Sequence, residues 1–370
     1  MKIDKIVLRQ MKMTLKTPFT TSFATQTEKY FTVVEAHSGD VVGYGDCSAI
    51  SLPFYNEETN VTAWHIMRDF LVPMLRQAGE IRHPSEVRDI FAPVRRNNCA
   101  KAAVEGAIWD AYTRQKQTPL WRELGGVRDR VEAGVSIGIQ PTPADLVRVV
   151  AGYREEGYRR IKIKIKPGKD LAYIQALRSE FGDITLMVDA NSAYSLDDIP
   201  LFREFDKFNL LMIEQPLAHD DIVDHRKLQA AIETPICLDE SIASVEDARK
   251  AIELGSGRII NIKVARVGGI TETKLIHDFC QDAGVPVWCG GMLDTAVGKA
   301  HNIAVATLPN FLLAHDIPPS SRYWAQDFML PEVTLDQDSM VAVPDKPGIG
   351  FEINPELYAR YCYGEETIRF

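Results

Sequence analysis

The chain has 370 residues, which excludes a single small domain and suits one large domain with a smaller companion. Its 45% hydrophobic and 25% charged content is that of an ordinary globular protein. The net charge of −9 argues against non-specific nucleic-acid binding, and no stretch approaches the ~18 uninterrupted apolar residues of a membrane span. The N-terminus, MKIDKIVLRQMKM, lacks the apolar core of a signal peptide. Six cysteines (Cys47, Cys99, Cys237, Cys280, Cys289, Cys362) are scattered without a C-x-x-C pair and read as free thiols of a reducing cytosol. The expected location is therefore cytoplasmic.

In chain order, residues 1–130 predict a small α+β domain. Lys2–Leu15 and Tyr30–His37 read as strands. Ser38-Gly39-Asp40 turns the chain into Val41–Cys47, a hairpin. Between the first two strands lies Thr17–Thr27, a Ser/Thr-rich segment expected to be a loop and, with Phe23, able to close over a neighbouring site. The loop Leu52–Glu57 is a second candidate for closure. Helices are expected over about 57–78, 84–91 and 97–116, and Gly125-Gly126 then breaks the pattern.

From 131 the chain changes character. Eight apolar runs recur: Val131–Gly138, Arg160–Ile165, Ile184–Asp189, Leu210–Glu214, Pro235–Asp239, Arg258–Lys263, Val285–Cys289 and Phe311–Asp316. Seven segments with helical spacing separate them, among them Asp145–Glu156, Val245–Leu254 and Thr271–Ala283. Thr142 (followed by Pro143), Ser244 and Thr271 are the expected N-caps. Unbroken β-branched runs alternating with helices indicate a parallel sheet, and eight units indicate a closed barrel over 131–318. An open doubly wound sheet would need a G-x-G-x-x-G after its first strand, and a leucine-rich solenoid a recurrent Leu framework; neither is present. The tail, 319–370, holds Pro344, Pro347, Gly348 and Gly350 and no further strand–helix unit. It is expected to fold back onto the N-terminal domain.

Five charged residues end successive runs: Lys164, Asp189, Glu214, Asp239 and Lys263, at steps of 25, 25, 25 and 24 residues. In a parallel barrel these ends gather at one mouth. Three carboxylates there repel one another unless a cation sits among them. Oxygen-only ligands favour Mg²⁺, with Mn²⁺ the alternative, where zinc would favour His or Cys. In Ile161-Lys162-Ile163-Lys164, alternation puts Lys162 and Lys164 on one face, pointing inward. A lysine beside a cation and low-dielectric walls has its neutral form favoured, so its pKa is expected to fall from ~10.4 towards the ~7–8 of a general base. Lys263 is four strands from Lys164 on an eight-strand ring. A substrate carbon between them could lose a proton to one amine and gain one from the other.

The set KIKIK, VDAN, IEQP, LDES and NIKVARVGG resembles the muconate-lactonising-enzyme subgroup of the enolase superfamily over nearly the whole chain. The N-terminal hairpin and helices resemble that subgroup's capping domain. The mandelate-racemase subgroup uses a His at the end of the seventh strand, where this chain reads Val287-Trp288-Cys289-Gly290-Gly291. Dipeptide epimerases carry Asp-x-Asp at the eighth strand, and Ala314-His315-Asp316-Ile317 supplies one acid only. KIKIKPG (162–168), residues 261–269 and Gly290–Thr295 are most similar to the o-succinylbenzoate synthase / N-succinylamino acid racemase family.

The resemblance implies a (β/α) barrel under an α+β cap, a small carboxylate substrate, a divalent metal and a homo-oligomer. It implies α-proton abstraction followed by dehydration on the way to menaquinone, with N-succinylamino acid racemisation on the same core. A dedicated N-acylamino acid racemase is the alternative; muconate cycloisomerase and a non-catalytic barrel stand further off. Carried over, Lys164 and Lys263 are the acid/base pair, with Lys162 beside the substrate carboxylate. Asp189, Glu214 and Asp239 bind the metal. Ser136, Asn191, Tyr55, Gly291, Met292 and Ile317 would lie against the substrate, with Arg266 and Glu240 behind. Arg266 matches an arginine associated in the family with racemase-competent members.

Overall fold

Thr, Val and Ile crowd the first 47 residues, and β-branched side chains fit a pleated surface. In the computed structural model, which describes residues 1–21 and 24–370, they form strands β1 (Lys5–Thr20), β2 (Thr25–Ser38) and β3 (Val41–Cys47) of an antiparallel sheet. Gly39 takes the left-handed φ of 58° that the tight β2–β3 turn needs. The segment expected to be a loop at Thr17–Thr27 is largely strand. Phe19 pairs with Gln26 and Thr20 with Thr25, so the ribbon runs nearly to its tip. The polar Thr residues read as loop because their side chains are exposed, while their backbone prefers to pair. Phe23 lies outside the described residues.

Helix α1 (Asn60–Ile66) leads through a wider turn at Met67–Leu71 into α2 (Val72–Ala78). Pro73 cannot donate to a helical carbonyl, which accounts for the widened hydrogen-bonding there. After α3 (Glu86–Phe91) comes α4 (Asn98–Gln115), a helix buried on nearly every side. It lies between the sheet and the rest of the molecule. A Cβ on Gly45 of β3 would stand 1.8 Å from the Ala103 carbonyl oxygen, so the sheet rests directly on the helix backbone. The short α5 (Leu120–Glu123) and β4 (Arg130–Glu132) lead into the second half.

Seven parallel strands follow in sequential order: β5 (Val135–Ile137), β6 (Arg160–Lys164), β7 (Thr185–Asp189), β8 (Ile213–Glu214), β9 (Ile236–Leu238), β10 (Ile259–Ile262) and β11 (Val287–Cys289). The eighth run is not a regular strand. Residues 311–316 join the two edges through single bridges, Phe311 to Val287 and His315 to Ala133. Backbone bonds from His315 to Glu132 and from Asp316 to Cys289 complete the closure. The helices α6 (Pro143–Glu155), α7 (Leu171–Phe181), α8 (Ile199–Phe205), α9 (Val223–Ala231), α10 (Val245–Leu254), α11 (Val264–Val267), α12 (Ile270–Asp282) and α13 (Ala296–Ala306) occupy the connections. Met187, Met212, Cys237, Ile259 and Trp288 plug the barrel interior as a separate buried cluster.

Thr142 and Ser244 cap α6 and α10 as expected, accepting from the backbone of Asp145 and Asp247. Thr271 does not cap α12. That helix starts at Ile270 after Gly269, and the carboxylate of Glu105 on α4 accepts from the Ile270 and Thr271 amides at 2.7 and 2.9 Å. A side chain distant in sequence replaces the local cap, so local reading could not find it.

The tail contributes β12 (Met329–Leu330), β13 (Met340–Ala342), β14 (Glu352–Ile353), α14 (Pro355–Tyr361) and β15 (Cys362–Arg369). β13 pairs with β4, and β15 pairs with β1 at the edge of the first sheet. All six cysteines are unpaired. No helix among the described residues is long and apolar enough to cross a membrane.

Candidate active site

Strand register sets the site. Lys164 is level with Asp189, and Asp189 with Glu214, across three adjacent parallel strands. Asp239 and Lys263 follow directly from the ends of β9 and β10. Alternation turns Arg160, Lys162 and Lys164 inward, and Ile161 and Ile163 into the layer beneath the helices. The three carboxylates are fully buried, Lys162 and Lys263 nearly so, and Lys164 is partly exposed.

Each charge has a partner. Lys164 Nζ donates to Asp189 Oδ2 at 2.5 Å and to Asn191 Oδ1 at 2.8 Å. Lys162 Nζ lies 2.5 Å from Asp316 Oδ2, 3.1 Å from Glu214 Oε2 and 3.5 Å from Asp189 Oδ2, over the Trp288 ring. Lys263 Nζ donates to Asp239 Oδ2 at 2.7 Å and to the Tyr55 hydroxyl at 3.0 Å, and that hydroxyl donates to Asp239 Oδ1 at 3.2 Å. Arg266 also pairs with Asp239, while its Nε donates to the Ile242 carbonyl. Asn261 Nδ2 donates to Glu214 Oε1 at 2.6 Å, and Asn191 Nδ2 to Glu240 Oε1 at 2.9 Å.

Burial opposes ionisation of Asp189, but the adjacent Lys164 and Lys162 outweigh it and hold its pKa well below the carboxylate range. Burial, reinforced by the Asp189 charge, pushes Glu214 up. Burial opposes the charge on Lys162, yet Asp316, Glu214 and Asp189 outweigh it and raise its pKa. Lys263 is likewise raised: burial opposes its charge, and Tyr55, Glu240 and Glu214 outweigh that cost. The expected fall of a lysine pKa towards neutrality applies to a lysine beside a cation; Lys162 and Lys263 here face carboxylates and a tyrosine hydroxyl instead. The carboxylates here face ammonium groups, whose attraction exceeds the desolvation cost.

Among the described residues no group of three His, Cys, Asp or Glu stands arranged to hold a metal ion. Asp189, Glu214 and Asp239 nonetheless suit a hard divalent cation in donor type. All are carboxylates on neighbouring strand ends, and their buried charges already draw in three ammonium groups.

The lysines line a cavity of ≈ 70 Å³ that opens to solvent. Ser136, Lys162, Lys164, Asn191 and Lys263 form its floor, and Tyr55, Gly291 and Met292 stand on its walls. Tyr55, Met292 and Ile50 also pack together as a small apolar cluster between the loop 51–57 and the barrel. Ile317 is not brought to the cavity. It is 1% exposed and packs in the core, and its neighbour Asp316 lines the site instead. Glu240 and Arg266 stand behind the floor, lining a second polar cavity with Tyr55.

Several lining residues escaped the sequence reading. Phe19, Thr21 and Gln26 reach the cavity from the β1–β2 tip, where a loop was expected. Leu293 and Tyr323 complete the wall. Asp316, in sequence only half of an Asp-x-Asp, lines the cavity. Its Oδ1 accepts from the buried Arg160 at 2.8 Å and its Oδ2 faces Lys162. The inward alternation of 160, 162 and 164 was the available signal for Arg160.

Residues 3–125 match the family described as mandelate racemase / muconate lactonizing enzyme, N-terminal domain, and residues 145–357 match the enolase C-terminal domain-like family. An o-succinylbenzoate synthase of Geobacillus kaustophilus is 53% identical over 97% of this chain and 96% of its own length. An N-succinylamino acid racemase of Thermus thermophilus is 44% identical over 95% of each chain. The crystal structure of an enolase-superfamily member from Listeria innocua superposes with a TM-score of 0.96 at 40% identity, covering 100% of this chain and 99% of that one. With two domain matches spanning both halves and a shared architecture throughout, this chain belongs to the enolase superfamily, in its mandelate racemase / muconate lactonizing enzyme branch.

Proposed function

We propose that this chain is an o-succinylbenzoate synthase, dehydrating a cyclic β-hydroxy carboxylate, and that the same site racemises N-succinylamino acids. The observation that carries the reading is the pair Lys164 and Lys263, four strands apart in the sheet and lining one cavity. Full-length likeness to synthases at up to 53% identity favours dehydration as the main reaction. Likeness to racemases at 44%, with Arg266 beside Asp239 and Lys263, favours the second.

Adding water back across the ring of o-succinylbenzoate gives a hydroxycyclohexadiene carboxylate, the substrate of the dehydration. Lys164 Nζ, in neutral form, takes the α-proton. The C–H electron pair moves towards the carboxylate, then forms the new ring double bond as the β-hydroxyl takes a proton from the Lys164 ammonium and leaves as water, which returns Lys164 to its neutral form. The Lys263 ammonium faces the developing anion and offsets its charge. In racemisation the proton leaves to one lysine and returns from the other on the opposite face. Lys162 holds positive charge beside the substrate carboxylate. Ile50, Tyr55 and Met292 exclude water.

Enolase-superfamily sites pair such a base with Mg²⁺, and we assign Mg²⁺, with Mn²⁺ as substitute, to Asp189, Glu214 and Asp239. When bound it supplies electrostatic stabilisation of the carboxylate as negative charge develops. A cation held there would share the Asp239 carboxylate that now pairs with Lys263, and so would weaken the grip on that ammonium. We assign 1–130 to the cap, 131–318 to the catalytic barrel and 319–370 to a tail on the cap. The protein is assigned to the cytoplasm as a homo-oligomer.

The test is turnover of the hydroxycyclohexadiene carboxylate and an N-succinylamino acid, side by side, with Mg²⁺. Chelation abolishes both activities and Mg²⁺ or Mn²⁺ restores them. Dehydration absent under these conditions refutes the synthase assignment, and undiminished turnover after exhaustive metal removal refutes the metal.

A further inference from the structure

The loop after β11 carries Gly291, Met292 and Leu293 into the cavity wall. Leu293 sits at φ 54°, a left-handed conformation costly for any side chain with a Cβ. Something must hold the turn in that shape. On the barrel side, Asp294 Oδ2 accepts from the Met292 amide at 2.9 Å and from Asn302 Nδ2 at 3.0 Å. The remaining grip comes from the cap. Thr295 Oγ1 donates to Asp46 Oδ2 on β3 at 2.5 Å. Lys29, on β2, is 2% exposed and donates through Nζ to the carbonyls of Met292, at 3.0 Å, and Leu293, at 2.8 Å.

A buried ammonium is a costly way to satisfy two carbonyls. Here both carbonyls belong to the strained turn, so the ammonium stabilises one backbone shape over its alternatives. Lys29 also lies three residues from Gln26 on the same strand. Gln26 and its pair Phe19 line the cavity. One ribbon thus presents two lining side chains at its tip and fixes the opposite wall through its stem.

We propose that Lys29 is a positioning residue for the substrate pocket: by holding the 292–293 turn it sets the room available to the part of the substrate remote from the reacting carbon. It acts through Met292 and Leu293 and removes no proton itself. The inference rests on the carboxylate lyase and racemase reading of the site.

The test compares Lys29→Met, which keeps the stem and loses the donors, with Lys29→Arg, which keeps donors. Lys29→Met raises KM at least tenfold for the better of the two substrates while kcat stays within threefold. Lys29→Arg stays within threefold of wild type in KM. Amide hydrogen exchange at 291–296 quickens at least tenfold in Lys29→Met, with β10 unchanged. If Lys29→Met does not fold, Lys29→Gln, with a shorter single donor, carries the same readouts. Unchanged exchange in the turn, or a fall in kcat at unchanged KM, overturns the assignment. A wild-type protein that turns over neither substrate overturns the functional reading instead, and the exchange measurement still decides the role of Lys29.

Discussion

Replacing Asp316 by asparagine probes the charges beneath the site. Asp316 accepts from Arg160 at 2.8 Å and pairs with Lys162 at 2.5 Å, and Arg160 is 2% exposed. The two lysine and arginine charges, outweighing the cost of burial, lower the Asp316 pKa to about 2. Lys162 keeps Glu214 and Asp189 when Asp316 is neutralised. Arg160 does not fare as well. It keeps the Ala314 carbonyl and an uncharged amide oxygen as acceptors but loses its countercharge, and its Nε and Nη1 find no partner among the described residues. Stranding a buried charge costs ~3–5 kcal/mol. We expect the lower end, about 3 kcal/mol, because the guanidinium keeps its face on Trp288, 5.2 Å from the ring centre. At ~2.1 cal/mol/K of unfolding entropy per residue, a chain of this length shifts by about 4 °C in Tm. Calorimetry of Asp316→Asn measures it. Arg160→Met in the same background removes the stranded charge and should recover most of the loss. A double variant no more stable than Asp316→Asn refutes the argument, since the cost would then not reside on Arg160.

Three further outcomes are expected. Lys164→Arg stops net dehydration and racemisation, because an arginine is rarely deprotonated, yet leaves α-deuterium exchange for the enantiomer facing Lys263; Lys263→Arg leaves the mirror-image exchange. NMR on each enantiomer reads this, and interconversion at near wild-type rate in either variant contradicts the two-base assignment. Arg266→Gln lowers racemisation more than dehydration in parallel assays, whereas equal losses would mark Arg266 as structural. His301, buried on α13 against Gly106 of α4, is held neutral by burial, its pKa pushed down to about 4. The unfolded chain binds that proton near pH 6.5. Its contribution is therefore complete above about pH 6.5 and lost as pH falls towards 4. Between pH 7 and 5 wild type should lose ~2 kcal/mol relative to His301→Gln in urea unfolding, and a pH-independent difference would show that His301 is not buried neutral.

The sequence made the barrel legible because its signals are local and repeated. Each strand is a short apolar run, and each ends in a charge whose alternation fixes its facing. Lys164, Asp189 and Glu214 fall on one row for that reason. What it concealed depends on contacts between distant segments. The cap of α12 comes from Glu105, 165 residues before Ile270. The Thr-rich ribbon tip was read by polarity as a loop, so Phe19, Thr21 and Gln26 were missed as cavity walls. Ile317 was placed by analogy at the strand end, where a shift of one residue turns a side chain from cavity to core. Asp316 takes the inward position. The charges on Lys162 and Lys263 depend on what faces the carboxylates around them, which no local pattern displays.

Apart from Tyr323, the cavity is built from two stretches of chain with different freedoms. Its floor, from Ser136 to Asp316, contains the lysines we assign to proton transfer; its roof, from Phe19 to Tyr55, contains none of them. Drift in the roof can retune what the enzyme accepts while the proton-transfer machinery stays intact, so one lineage can move between substrates without rebuilding its chemistry. The bonds from Lys29 and Asp46 to residues 292–295 limit that freedom. A roof grafted from a relative would need the turn it grips to travel with it, and successful chimaeras should exchange both segments together.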